Sequence, residues 1–592
     1  MYNSIQINEF PEKKILSGIH LILDEMISKL EYHNNDDEVS ATETEIYGIM
    51  DDMIDKIIID IDNIPEMEDT VSITETEKSV SLEIDTNIVL PSPPTDIEKY
   101  LYAKEPKRGQ IYLFNILPPF SYICSILLLS TVSVDTLFLV VIAAFYFFYC
   151  AFSYFLFGFH SFDFATHQSL VSSFTPFRID YIPSVDVFLP ICNEPIAVIQ
   201  NTWKYVSQLE YPHMNIYVLN DGADKEEIRA LAGHYGFTYI QRTDKPHLKK
   251  AGNLRNAYKQ TTGDYIAIFD ADFCPRHDFL LETIPIMVAD ASLGILQTPQ
   301  YFRCLPNQTW VEQQSGFVQE TFYKVSQVDK NVYECPLCVG TNAIYRREAT
   351  RAFGGTAEVE DSEDVNTGVR VMLNGYKVKY IPIVLATGTN PDNTQAFFFQ
   401  QYRWCIGSTK LLTSAFLWGS NLGFMQKVCF FNGFLYYFTT AGQIVVKILY
   451  CVLLLFVYPE KVLFFNVLFL VPQLLNACIF IRITSSQPYT CIPIRIVLFQ
   501  QYVFAMAFLD FLRNNKMEWV STGAVTQRGG SNKQYRYIAS LYSMVTLETA
   551  VFVCTVASAI IHLPSIYNFI PSLIVSAFYM IQAWNIIMPI LS

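Results

Sequence analysis

Six short stretches combine residue types in ways that could do chemistry. Phe188-Leu-Pro-Ile-Cys-Asn193-Glu194 and Val218-Leu-Asn-Asp221 each run from an apolar stretch into an acidic residue. Ile266-Ala-Ile-Phe-Asp270-Ala-Asp272 does so twice over. Carboxylates placed straight after a buried strand sit on a rigid edge. A pair of them there can hold Mg²⁺ or Mn²⁺, hard cations that favour oxygen ligands and phosphates. Placement matters more than pattern, because Asp60-Ile-Asp62 repeats the spacing in a polar region with no such strand. Lys249-Lys250-Ala-Gly-Asn253 puts a cation beside a small-residue turn, which suits a diphosphate. Glu360-Asp-Ser362-Glu363-Asp364 lies beyond the sheet core, and Gln400-Gln-Tyr-Arg403-Trp404 opens an amphipathic helix.

These residues need an ordered sheet. The spacing predicts strands over Val185–Leu189, Asn215–Leu219, Thr238–Ile240, Tyr265–Phe269, Gly294–Thr298 and Lys377–Ile381, with helices such as Pro195–Leu209 and Lys225–Tyr235 between them. Alternation of this kind means an α/β domain with a mostly parallel sheet, here over 180–395. Such sheets bind ligands at the carboxyl ends of their strands.

The rest of the chain is of another kind. Of 592 residues, 51% are hydrophobic, 15% aromatic and only 17% charged. Soluble domains carry about 25% charge. Apolar runs over 111–131, 136–159, 442–458, 462–483, 537–563 and 567–591 are each long enough to cross about 30 Å of hydrocarbon, giving six expected spans. Two further segments, 396–417 and 487–512, contain Gln, Arg or Asp and are expected to lie as amphipathic helices on the membrane surface. Lys104, Lys107, Arg108, Arg513, Lys516 and Arg536 flank the spans on one side. That bias places the α/β domain and both termini in the cytosol.

The net charge of −16 divides unevenly. Residues 1–100 hold 24 acidic and 6 basic residues, and the remainder holds 33 and 35. Residues 1–100 therefore read as an acidic cytosolic tail, largely disordered, with no cleavable signal peptide at its start. The near-neutral body gives no footprint for nucleic acid. The 13 cysteines begin at Cys124 and resemble buried small hydrophobes more than a disulfide framework. Cys335-Pro-Leu-Cys338 has no second pair at zinc-ribbon spacing.

Taken in order, Asp221, Asp270-x-Asp272, Ser362-Glu363-Asp364 and Gln400-x-x-Arg403-Trp404 resemble a processive family-2 glycosyltransferase of the cellulose synthase type, a group that includes chitin, hyaluronan and curdlan synthases. Lys250-Ala-Gly-Asn253, Gln297-Thr-Pro299 and Val339-Gly-Thr-Asn342 support it, and it covers about residues 105–592. Ser362 stands where Thr is usual. A plant-type cysteine module, the plant insertion (only 48 residues separate Asp221 from Asp270) and a PilZ domain after the final span are all missing from the pattern.

The resemblance implies a GT-A-like α/β domain inserted in a transmembrane helical domain: an N-terminal hairpin at 101–160, interfacial and transmembrane helices at 396–513, a gating loop at 514–536 and a C-terminal hairpin at 537–592. It implies roles as well. Asn193, Glu194 and Asp221 would bind the UDP-sugar, Asp221 at the uracil. Lys250, Gln400 and Arg403 would hold the diphosphate. Asp270 and Asp272 would hold it through Mg²⁺ or Mn²⁺. Asp364, beside Glu363, would be the general base, and Trp404 would stack on the acceptor sugar. Trp519 and Thr522 would belong to the gating loop. The expected partners are a UDP-sugar, a nascent polysaccharide and the lipid bilayer, with a second copy or an accessory subunit also open.

The product best matching these motifs is a β-1,4-glucan made from UDP-glucose in the plasma membrane. Chitin, hyaluronan, curdlan and mixed-linkage glucan stay open. So do a single-transfer enzyme acting on a lipid acceptor and a nucleotide-regulated transporter, to which Glu548 inside a span would point.

Overall fold

The structure is a computed structural model, described here for residues 90–103, 120, 123, 137–156, 162–173, 182–464, 485–489, 493–515 and 531–591. The expected tail helices, most of the first apolar run, most of 462–483, and Trp519 and Thr522 lie outside the described residues. The chain divides into 1–83 and 84–592, and the described residues belong to the second unit.

The α/β domain is built on a seven-stranded sheet: β1 (Val185–Ile191), β2 (Met214–Asn220), β3 (Thr238–Gln241), β4 (Tyr265–Ile268), β6 (Leu293–Gln297), β7 (Ala343–Arg346) and β8 (Lys377–Tyr380). Their order is β3-β2-β1-β4-β7-β6-β8, and β5 (Cys274–Pro275) pairs with β9 (Ala386–Thr387) apart from it. β1 pairs in parallel with both β2 and β4, whereas β7 runs antiparallel to β4 and β6. The sheet is therefore mixed. β7 was missed in the sequence because its apolar part is the three residues Ala343-Ile-Tyr345, too short for a periodic signal.

β1 and β4 are buried along their whole lengths; β4 reads as an unbroken apolar run, and β1 is interrupted only by Asp186, which accepts from Arg347 at 2.7 Å. Helices α3 (Ile196–Val206), α4 (Glu226–His234), α5 (Lys249–Gln260), α6 (Phe279–Ala289) and α9 (Glu363–Leu373) cover the sheet. Trp203, Phe279 and Ile284 fill one face, and Ile268, Tyr345 and Val371 the other.

Residues 90–103 lie on this domain. Glu98 accepts from Arg303 Nε (2.7 Å) and Nη2 (2.7 Å), and Asp96 from Arg276 (2.8 Å). Lys99 is buried between Asp278 (2.6 Å) and Glu282 (2.5 Å). Residues 90–100, expected as part of the tail, thus pack on the α/β domain.

Among the described residues, four helical stretches are long and apolar enough to cross a membrane: Phe424–Val457, Ile494–Leu512, Gln534–Ile561 and Leu563–Ile590. The helices are labelled α11 (Phe424–Leu449), α12 (Ile494–Leu512), α13 (Ser531–Ile561) and α14 (Ile570–Leu591). α12 was expected on the membrane surface. Instead it sits inside the helical cluster, because Phe499, Val503, Phe504 and Ala507 are fully buried against its neighbours, and its Gln and Asp side chains find partners there. Near the start of the domain, α1 (Leu137–Leu156) carries no charged residue, and α2 (Phe164–Ser173) follows it.

Glu548, the carboxylate inside a span, is 2% exposed and ion-paired with Lys447 of α11. Tyr502 donates to it at 2.8 Å, and Lys447 donates to Gln501 at 2.9 Å. A charge in this setting persists only when paired and hydrogen-bonded in this way.

Candidate functional site

The acidic residues gather where the sheet ends. After β1, Asn193 adopts a φ of 65°, a left-handed conformation that Asn tolerates. Its Oδ1 accepts from the Ala223 amide at 3.0 Å, and Glu194 accepts from the Cys192 amide at 2.5 Å. Burial raises the Glu194 carboxyl above its ordinary range, and nearby Asp270 adds to this.

Asp221 follows β2. Both of its oxygens are gripped by one guanidinium: Arg242 Nε at 2.5 Å and Nη2 at 2.8 Å. Arg242 also donates to the carbonyls of His247 (2.5 Å) and Lys249 (3.0 Å), which fixes the entry to α5. Sequence reasoning missed Arg242. Its 21-residue separation from Asp221 follows no local period, and only the Asp–Arg complementarity hinted at it.

Lys250, in the first turn of α5, reaches across to β4. Its ammonium donates to Asp270 at 2.5 Å and to the Gly340 carbonyl at 3.1 Å. Burial alone would lower its pKa, but Asp270, Glu363 and Asp364 outweigh burial and raise it. The Asp270 amide donates to Thr341 Oγ1 at 2.9 Å. Burial pushes the Asp272 carboxyl up to about 7, with Asp270 next to it adding repulsion.

Gly340 brings the base region in. It has a φ of 77°, and a Cβ there would lie 3.0 Å from Asp364 Cβ and 3.2 Å from its Oδ2. A side chain would therefore meet both backbone strain and a steric block. Glu363 and Asp364 form the first turn of α9, entered through Ser362 at φ 52°. Asp364 Oδ1 accepts from the Val365 amide at 2.8 Å. Burial lifts the Asp364 carboxyl well above the usual carboxylate range, helped by Glu363.

Helix α10 (Thr394–Leu412) closes the site. Gln400, Arg403, Trp404 and Gly407 recur at the spacing of one helical face and are half-buried or buried. The Arg403 guanidinium lies within electrostatic reach of Glu363, Asp361, Asp270 and Asp364. At Gly407 the helix backbone presses on Ser362, since a Cβ there would stand 1.8 Å from Ser362 Oγ. On the far side, Tyr402 donates to buried Asp510 at 2.8 Å, and Gln401 accepts from Gln500 at 3.0 Å, both on α12. The site helix is thereby fastened to the membrane helices.

The structure brings together Glu194, Lys250, Asp270, Asp272, Glu363, Asp364 and Arg403 in one mutually interacting cluster. Asn193 and Asp221 flank it through the loop after β2. Five carboxylates facing two cations leave an excess of negative charge, which favours a bound cation. Among the described residues, no group of three or more His, Cys, Asp or Glu is arranged to hold a metal by itself. The Asp270–Asp272 pair still fits one. A divalent ion would relieve the repulsion that lifts Asp272, and Mg²⁺ is ordinarily held by one or two carboxylates with substrate phosphates completing its shell.

Residues 265–471 match the family described as glycosyl transferase family group 2. A cellulose synthase catalytic subunit [UDP-forming] of Xanthomonas axonopodis pv. citri is 31% identical over 273 residues, 44% of this chain and 37% of that protein. One from Pseudomonas fluorescens is 30% identical over 272 residues, 43% of this chain and 35% of that protein. The cellulose synthase 1 catalytic subunit of Komagataeibacter xylinus is 30% identical over 276 residues, with shares of 46% and 37%. The chain spans little more than a third of the length of the curated relatives it matches. Among solved structures, a mannosyltransferase of Pyrobaculum calidifontis in complex with GDP-Man and Mn²⁺ superposes with a TM-score of 0.39 at 15% identity, covering 60% of this chain and 97% of that one. The matched region is thus similar to group-2 glycosyl transferases and to cellulose synthase catalytic subunits, and among the described residues its mixed α/β domain is followed by four long apolar helices.

Proposed function

We propose that the protein is a processive, inverting glycosyltransferase that builds a β-linked glycan from a UDP-sugar and passes it into its membrane helices. UDP-glucose and a β-1,4-glucan are the preferred donor and product. The observation that carries the reading is the meeting of Lys250, Asp270, Asp364 and Arg403. They come from four separate parts of the chain and supply both halves of the chemistry, a base and a neutralised leaving group.

In this reading Asp221, locked by Arg242, and Asn193 shape the uridine end of the donor site. Lys250, Arg403 and Gln400 bind the diphosphate and offset the charge that grows on it as the glycosidic bond breaks. Asp270 and Asp272 hold Mg²⁺ or Mn²⁺, which when bound adds Lewis-acid stabilisation of the leaving diphosphate. Asp364 takes the proton from the acceptor hydroxyl. Its raised pKa brings it closer to the operating pH, where a general base works best. Trp404 offers the acceptor ring a flat apolar face, about one helical turn before Gly407 on α10. The domain boundaries, the gating role of 514–536 and the cytosolic placement of the α/β domain and both termini belong to the same proposal.

The first test is a donor screen on the full chain in detergent, with UDP release as the readout. UDP-glucose should give the highest turnover. A clear preference for UDP-N-acetylglucosamine or UDP-glucuronate would move the product to chitin or hyaluronan while leaving the mechanism in place. Turnover with none of them would remove the transferase reading.

A further inference from the structure

We propose that Arg370 and Lys427 form a binding site for the headgroup of an anionic phospholipid, at the point where α11 enters the membrane. The site lies where α9, α11 and the short helix Ala415–Trp418 pack together through buried Val369, Cys429 and Leu417. Around that packed centre Phe416 (37%), Trp418 (48%) and Phe424 (78%) remain exposed. Phe424 opens the stretch Phe424–Val457, which is long and apolar enough to span a bilayer. Trp418, six residues before it, stands at the level where Trp is enriched in membrane proteins.

Two cations meet the short helix without an acidic partner. Arg370 belongs to the last turn of α9, at the opposite end of that helix from Asp364. Its side chain has no hydrogen-bond or ion-pair partner among the described residues, and its Nε is enclosed by protein whereas neither Nη atom is. The guanidinium lies over the Phe416 ring, 5.3 Å from the centroid. An aromatic ring holds a guanidinium by its face and leaves the N–H edge free for a phosphate, to which Arg donates in bidentate fashion. Lys427, in the first turn of α11, bends back out of the span. Its Nζ donates to the carbonyls of Trp418 (3.0 Å) and Ser420 (2.8 Å). A Lys near the end of a span keeps its charge at the interface in this way. An ammonium has three N–H donors, so one remains for a ligand. The neighbouring carboxylates are engaged elsewhere: Glu334, just after α8 (Gln327–Val332), by Lys377 at 2.6 Å, and Asp361 by Lys410 at 2.5 Å.

Cations without a carboxylate on them favour a ligand of net negative charge. A phosphodiester carrying acyl chains fills the free donors and also covers the exposed rings. Phosphatidylcholine brings its own cation to the site and fits less well, and a soluble phosphate would leave Phe416, Trp418 and Phe424 uncovered. The inference depends on Phe424–Val457 crossing the membrane and not on which sugar is transferred.

The test titrates the purified full chain in detergent with phosphatidylglycerol or phosphatidylcholine of the same acyl chains, and counts bound lipids by native mass spectrometry. A cation near a membrane surface is worth roughly fivefold in affinity for anionic lipid. The first phosphatidylglycerol should therefore bind the wild type about tenfold or more tightly than phosphatidylcholine. Arg370→Gln should cut that preference roughly fivefold, and Arg370→Gln with Lys427→Gln should bring it to parity. Lys259→Gln, at an exposed cation of α5, should leave it unchanged. Single-peak elution and an unchanged melting temperature verify folding. Arg370→Gln breaks no hydrogen bond or ion pair among the described residues, so it decides alone if the double variant fails to fold. Equal affinity for the two lipids in the wild type would overturn the proposal, and so would a preference that survives Arg370→Gln intact. Displacement of phosphatidylglycerol by inorganic phosphate would overturn it too, since the site would then take a soluble anion.

Discussion

Gly407→Ala probes the assembly of the site without touching a reacting group. The new Cβ would stand 1.8 Å from Ser362 Oγ and 2.8 Å from Ser362 Cβ, against 3.4 Å for ordinary contact. Rotating the Ser362 hydroxyl relieves the first clash. It leaves the second, so α10 and the turn before Asp364 must part by roughly 0.6 Å. A misplacement of about 1 Å can cost about 10²-fold in rate, so kcat should fall about 10- to 10²-fold. That corresponds to about 1.4–2.7 kcal/mol of transition-state stabilisation. KM for the UDP-sugar should rise less than kcat falls, because Gln400 and Arg403 move with α10 while Lys250 and Asp270 belong to other elements. The assay is initial-rate UDP release across donor concentrations. Ser362→Gly is the companion change, since Ser362 already holds a φ of 52° that glycine favours. The double variant should recover at least tenfold over Gly407→Ala. Wild-type kcat in Gly407→Ala, or no recovery in the double variant, would refute the claim that this contact sets the base against Arg403.

Asp364→Asn should leave UDP binding, measured by calorimetry, nearly intact while turnover falls about 10²–10⁴-fold, the range for losing a general base. Loss of binding along with turnover would make the residue structural. Chelation with EDTA should stop turnover and added Mg²⁺ or Mn²⁺ should restore it, whereas full activity without metal would remove Asp270 and Asp272 from that role. Deletion of residues 1–88 should preserve folding and activity. Deletion through 98 strips Asp96 and Glu98 from half-buried Arg276 and Arg303 and should lower the melting temperature, so equal melting of the two truncations would contradict the docking of 90–103. Burial raises the Glu98 carboxyl, but Arg303 and its other partners outweigh burial and bring it to about 2. Its folded pKa is depressed, so its contribution is present above the unfolded value of about 4.3 and is lost as pH falls towards 2. Glu98→Gln should therefore reduce the wild-type fall in stability across that window, as followed by denaturant midpoints at each pH.

The parts of the site legible in the sequence were those with a local signature. Asp270 and Asp272 follow a buried apolar strand, Lys250 opens a helix after a small-residue turn, and Arg403 and Trp404 share a helical face. Residue type and local placement drew attention to these, and the resemblance to cellulose synthases supplied their roles. The features that escaped join residues far apart in the chain. The Arg242 grip on Asp221, the Gly407 contact with Ser362 and the Lys447–Glu548 pair, 101 residues apart, have no period to detect. α12 was misjudged because its Gln, Arg and Asp residues suggested a wet face, whereas Gln500, Gln501 and Asp510 are satisfied by α10, α11 and α13 inside the bundle. The boundary at 100 was drawn on composition, and composition does not reveal that Asp96, Glu98 and Lys99 have buried partners nearly 200 residues away.

The central claim is polymerisation, and product sizing tests it most directly. The purified full chain would be incubated with radiolabelled UDP-glucose and Mg²⁺, and the product separated by size before and after digestion with a β-1,4-glucanase. The account predicts high-molecular-weight material from the earliest time points, collapsing to short oligosaccharides on digestion. Label confined to a single hexose on lipid, or to free glucose, would contradict it.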